Sequence, residues 1–122
     1  MRWLKKAYQI KTYSVNDWPE GKPDPTQYSN ERNEIMVRED YDIAADPAGW
    51  LVHEQVHAEH GSTESEDYSS YPDTPTEQVA FGTQFRYLKD RGITNFDDLF
   101  SLPGFEHERS HYDVLKRIWD SV

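Results

Sequence analysis

Apolar side chains are scarce in this chain: only 35% of its 122 residues are hydrophobic, while 14% are aromatic. Any core must therefore be built from few, large side chains, which works because each aromatic ring buries a large area. The length allows one domain, 1–122, and no second core. No stretch approaches the roughly 18 apolar residues of a membrane-spanning helix. The N-terminal MRWLKKAYQIK starts basic but lacks the apolar segment of a secretory signal. A cytoplasmic location without a membrane partner is the expectation. The chain has no cysteine. That removes disulfides, thiol catalysis and sulfur-built zinc sites, and leaves His, Asp and Glu as metal ligands.

Thirteen basic groups face 23 acidic ones, for a net charge of −10. Arg2, Lys5, Lys6 and Lys11 all fall in the first eleven residues, so the rest of the chain is more acidic still. Phosphate backbones would be repelled by such a surface, and nucleic acid is not an expected partner. Basic or unfolded polypeptides suit it better. Nothing in the sequence specifies an oligomeric state.

Alternation of Tyr8, Ile10 and Thr12 predicts a strand over 7–15, and Ile35 and Val37 predict another over 34–40. The two are expected in one small sheet. Residues 16–33, rich in Pro, Gly, Asn and Asp, read as loop. Asp46-Pro47 predicts a helix start, with the helix running to about His60 and stopping at Gly61. Residues 62–74 read as an acidic, Ser-rich loop. Thr74-Pro75-Thr76-Glu77 opens a second helix that carries Phe81, Phe85 and Leu88 and ends at Gly92. A short helix is expected over 95–102. A last helix over about 105–121 places Val114, Leu115, Ile118 and Val122 on one stripe. Strands followed by helices make the class α+β.

The sharpest motif is His53-Glu54-Gln55-Val56-His57. On a helix, positions i and i+4 share a face with Cβ atoms about 5–6 Å apart. Two imidazoles can then close on one Zn²⁺, while Glu54 reaches a water activated by that ion without ligating it. Frequency counting gives roughly 0.02 such motifs in a shuffled chain of this composition. Two surface histidines on a charged helix are the bland alternative, but Trp50-Leu51-Val52 and the uncharged Gln55 and Val56 argue for a buried helix.

His107-Glu108-Arg109-Ser110-His111 spells the same pattern with an Arg inside it, and no Glu or His follows. It is weak as a self-sufficient zinc site. Because 107 and 111 extend the apolar stripe of the last helix, His111 is expected to point inward. It would be either a hydrogen-bonded core histidine or, with its neighbour Tyr112, a donor to an oxyanion beside the zinc site.

Glu77 is the leading third ligand, twenty residues after His57. A capping box with Thr74 would also explain a Glu there, but a carboxylate heading the stripe of Phe81, Phe85 and Leu88 is costly to bury unless paired or metal-bound. If Glu77 ligates, Thr76 becomes the expected cap. His60 competes as third ligand, although three His from one helix would strain a tetrahedral site.

These residues, His53-Glu54-Gln55-Val56-His57 followed by Thr76-Glu77-Gln78-Val79-Ala80, resemble the gluzincin zinc metallopeptidases over about 46–92. The size is similar to that of the minimal members called minigluzincins and of small phage-type peptidase domains. The resemblance implies a small zincin-like domain: a short antiparallel sheet, an active-site helix, a glutamate helix and a C-terminal helix. It implies Zn²⁺ on His53, His57 and Glu77, with Glu54 as general base. Ala80 matches the small residue that lets the two helices approach, and Glu34–Asp40 would be the edge strand that pairs with extended substrate. Two departures stand out. Phe81 occupies the place of the acid that orients the first His in larger members, so that support must come from elsewhere, for instance a backbone carbonyl. The C-terminal domain that supplies the oxyanion-stabilising His or Tyr is also missing, which leaves His107, His111, Tyr112, Tyr68 or Tyr71.

The expected function is zinc-dependent hydrolysis of peptide bonds in a peptide or protein substrate, with Glu54, His111 and Tyr112 as candidate catalytic residues. Two alternatives stand beside it. One is a non-catalytic zinc-stabilised domain whose fourth ligand is His60 or His111. The other is an acidic protein that imitates nucleic acid on a basic partner.

Overall fold

The computed structural model describes residues 7–60 and 71–122. The expected stop at Gly61, most of the loop 62–74, the basic residues before Ala7 and Tyr68 lie outside the described residues.

The class is α+β. Strand β1 spans Gln9–Tyr13, β2 Thr26–Ser29 and β3 Glu34–Arg38. The helices are α1, Trp50–His60, α2, Pro75–Asp90, and α3, Tyr112–Ser121. Among the described residues no helix is long and apolar enough to cross a membrane.

The sheet differs from the expected antiparallel pair in two ways. Its order is β1-β3-β2, with β1 parallel to β3 and β2 antiparallel to it. The predicted loop 16–33 thus contains a strand. Asn30–Asn33 turns the chain through a left-handed Asn33 (φ 48°), and Tyr28 pairs opposite Ile35. The Asn and Pro residues that announced a loop are the punctuation around four residues of strand. Because β2 and its turn intervene, β1 meets β3 in parallel. β3 is therefore central, and the edge on its far side from β1 belongs to β2. Glu34–Asp40 is not an edge strand.

The core fulfils the composition argument. Trp50, Phe81, Phe85, Phe96, Phe100, Phe105 and Trp119 are all buried and meet as stacked or edge-on pairs, Trp50 on Phe105 at 4.7 Å and Phe85 against Trp119 at 5.5 Å. α1 packs against β2, β3 and α2, and α2 carries α3. The apolar stripe of α3 is as expected, with Leu115 and Ile118 buried and Trp119 added to it. Its start is later than expected. Glu106–His111 is a 3₁₀ helix and only Tyr112–Ser121 is α-helical. Residues 96–101 are 3₁₀ as well. Gly104 (φ +85°) admits a backbone so close to Trp50 that a Cβ there would sit 2.5 Å from its indole nitrogen, which leaves the Trp50 N–H free to donate to the Pro103 carbonyl at 2.8 Å.

Candidate metal centre

α1 begins at Trp50, three residues after the expected Pro47. Asp46 still supplies the cap chemistry, but from a distance. Held at φ 44°, it accepts from the Leu51 N–H through Oδ1 (3.0 Å) and from the Val52 N–H through Oδ2 (3.3 Å). The Tyr41 hydroxyl donates to Asp46 and accepts from the N–H groups of Ala48 and Trp50. The first three N–H donors of the helix, and that of Ala48 just before it, thus find oxygen partners. Gly49 accepts the first helical bond, from His53 N–H at 3.0 Å, and Gln84 and Tyr87 press so close to it that a Cβ would meet them at 3.0–3.1 Å.

Anchored this way, α1 buries His53, Glu54 and His57 together. α2 enters from the other side. Thr74, not Thr76, is its cap: Thr74 Oγ1 accepts from the Glu77 N–H at 3.3 Å, and Pro75 takes the first turn. The Glu77 side chain turns to the histidines instead. Its Oε1 lies 3.5 Å from His53 Nε2 and in hydrogen-bond contact with His57 Nε2. One donor atom from each of His53, His57 and Glu77 falls within 4.8 Å of the others, and all three side chains are buried. The capping bond thus uses the Glu77 backbone, and its carboxylate goes to the cluster.

Burial works to raise the Glu77 carboxyl, but the charge and hydrogen bonds of His53 and His57 outweigh it and hold the group well below the usual carboxylate range. His53 responds in the opposite sense. Burial would lower its pKa, yet Glu77 raises it to about 9. Metal ligands bind deprotonated, so a cation at this spot would compete with protons for these groups. A carboxylate and two imidazole nitrogens gathered in a buried spot are a donor set that suits a divalent ion of the zinc type.

The residue that orients His53 is Gln84, which the sequence reading missed. It is fully buried, donates from Nε2 to the Ala48 carbonyl at 2.9 Å, and places Oε1 2.8 Å from His53 Nδ1. With Nδ1–H committed to Gln84, Nε2 is left to face Glu77. The signal was there, because Gln84 lies seven residues after Glu77 and so two helical turns on, on the same face. An uncharged polar side chain among Phe81, Phe85 and Leu88 was the clue. Phe81, where an acid was sought, packs its ring on His53 at 4.5 Å. Gln84→Leu is expected to weaken divalent-metal binding at this site by about 10–100-fold with the fold retained. Competition against a chelating dye measures it, and unchanged affinity would remove Gln84 from the site.

Glu54 stands beside the cluster and outside it. It is buried, its Oε2 has no hydrogen-bond partner, and burial pushes its pKa up to about 7. Glu54, His53, His57 and Glu77 form one wall of an open cleft of about 570 Å³, whose other side includes Asp24, Tyr71 and Thr26–Ser29 of β2.

The other sequence candidates are placed elsewhere. His60 is exposed at the end of α1 and stands apart from the cluster. Tyr112 does not line the cleft; it is 36% exposed and donates to Asp97 at 2.8 Å. His111 also lies off the cleft wall, its ring edge-on to Tyr71 at 5.3 Å. The reason is the 3₁₀ geometry of Glu106–His111. At three residues per turn, 107 and 111 no longer share a face, so His107 reaches Asp24 while His111 meets Tyr71. Of the described His and Tyr residues that the sequence offers as oxyanion donors, Tyr71 lines the cleft, donating to Glu108 at 3.1 Å.

No family model, no curated protein and no solved structure matches the chain. Fold and site alone define its class: a small α+β protein with a buried His-His-Glu group able to hold a metal ion.

Proposed function

We propose that this protein is a zinc-dependent metallopeptidase of the gluzincin type. The observation that carries the reading is the convergence of His53, His57 and Glu77 on one buried spot at a cleft wall, with Glu54 beside them and one of its oxygens unpartnered. A zinc ion on these three ligands would supply Lewis acidity toward a peptide carbonyl and toward water.

The chain's own groups do the rest. Glu54 takes the proton of the attacking water and passes it to the leaving amine; its buried place beside the ligands, with one oxygen unpartnered, suits it to both transfers. Gln84 keeps His53 in the tautomer that presents Nε2. Tyr71 lines the cleft whereas His111 and Tyr112 do not, which supports Tyr71 as the oxyanion donor. Burial, with the charge of Glu108 and Asp24, keeps its hydroxyl protonated, and that hydroxyl would turn from Glu108 to the substrate. An extended peptide would add to the edge of β2, which borders the cleft, and not to β3.

The test is cleavage of an unfolded polypeptide by the zinc-loaded protein. Cleavage that a chelator abolishes and added Zn²⁺ restores is the expected result. Zinc bound at about one ion or more per chain without any cleavage would leave a metal-stabilised domain and end the peptidase reading.

A further inference from the structure

A second group of metal-ligating side chains lies outside the His53–His57–Glu77 cluster. The 3₁₀ segment Glu106–His111 contributes His107 and Glu108, and the loop before β2 contributes Asp24. Asp24 Oδ1 is 2.5 Å from His107 Nε2, and Glu108 Oε1 is 3.5 Å from the same nitrogen. One donor atom from each residue falls within 4.8 Å of the other two.

A His–Asp hydrogen bond accounts for the first pair on its own. It does not account for Glu108. That carboxylate is 3% exposed; Oε1 accepts from the Tyr71 hydroxyl, and Oε2 has no hydrogen-bond partner. A buried carboxylate oxygen without a donor is a costly arrangement unless a cation reaches it. Asp24 and His107 are each part-exposed, and Asp24 lines the cleft, so an ion has a way in.

We propose that Asp24, His107 and Glu108 form a second divalent-cation site, for a transition ion such as Zn²⁺. One imidazole with two carboxylates favours zinc or manganese over calcium or magnesium, which prefer all-oxygen shells, and over copper(I), which prefers sulfur. Two ligand atoms about 2.1 Å from a tetrahedral ion lie about 3.4 Å apart. The 3.5 Å between His107 Nε2 and Glu108 Oε1, the oxygen that accepts from Tyr71, already meets this. The Asp24–His107 contact has to open by about 1 Å, and Asp24, on a part-exposed loop, is the side that can give. This site does not depend on the peptidase reading.

The experiment is equilibrium dialysis of the full chain against Zn²⁺ alone, followed by metal analysis and thermal unfolding. The expected stoichiometry is about two ions per chain for the wild type and about one each for His57→Ala, His107→Ala and Glu108→Gln. Asp24→Asn, on the part-exposed loop, guards against a variant that fails to fold. If Asp24→Asn and Glu108→Gln both bind as many ions as the wild type, the second site is overturned. If an ion is lost in those variants yet His57→Ala binds as the wild type does, the second site stands and the first one falls.

Discussion

Glu54→Gln is expected to lower peptide hydrolysis by a factor of about 10²–10⁴ while zinc content stays that of the wild type. The amide keeps the size of the side chain and cannot accept a proton. Glu54 is not among the residues whose donor atoms converge, so the ligand set is untouched. The substitution also replaces a buried carboxylate, one of whose oxygens has no partner, by a neutral group. Stability should therefore hold or rise by about 1 kcal/mol. Turnover on a short peptide, metal analysis and urea unfolding of one preparation report all three. A variant that keeps its zinc and its full turnover would show that Glu54 moves no proton.

The complementary substitution is Glu77→Ala, for which metal should be lost first and activity with it. Structural zinc sites bind with about 10–16 kcal/mol, which over four ligands is about 2.5–4 kcal/mol each. Removing one ligand should then weaken binding by about 10²–10³-fold. The metal-free protein should suffer too. Glu77 is the carboxylate against which His53 and His57 are buried, and breaking a buried pair from one side costs about 3–5 kcal/mol. Glu77→Gln separates the two effects, since it keeps a hydrogen-bond acceptor for the imidazoles and removes the charge. Chelator competition read alongside unfolding of the metal-free forms checks the assignment. Wild-type zinc affinity in Glu77→Ala would place the third ligand elsewhere.

The site was legible from sequence wherever it depends on spacing along one helix. His53 and His57 share a face because they are four residues apart, and Glu77 heads a stripe that had to be buried. Spacing misleads at His107 and His111, which lie on a 3₁₀ helix. Four-residue spacing has that meaning only in an α-helix, and Phe105 ends up buried in the core with a 3₁₀ helix following it. The sheet misleads for a related reason. Pro19, Pro23, Pro25 and the Asn residues mark where the chain turns, and their density hid the four residues of β2. The cap of α1 lay between these cases: Asp46 was found as a capping acid, but its reach to Leu51 and Val52 depends on a left-handed backbone that spacing does not reveal.

What the residue order determined by itself was local: a helix carrying two imidazoles and a neighbouring carboxylate on its buried side, a second helix opening on Glu77, and a core made of aromatic rings. Backbone periodicity and burial specify such features without reference to the rest of the chain. Only the tertiary structure decided which partner each polar group meets. Gln84 reaches His53 across thirty-one residues, Asp24 reaches His107 across eighty-three, and β2 takes the sheet edge beside the cleft. A buried polar atom must find its partner wherever packing brings one, and packing is a property of the whole chain.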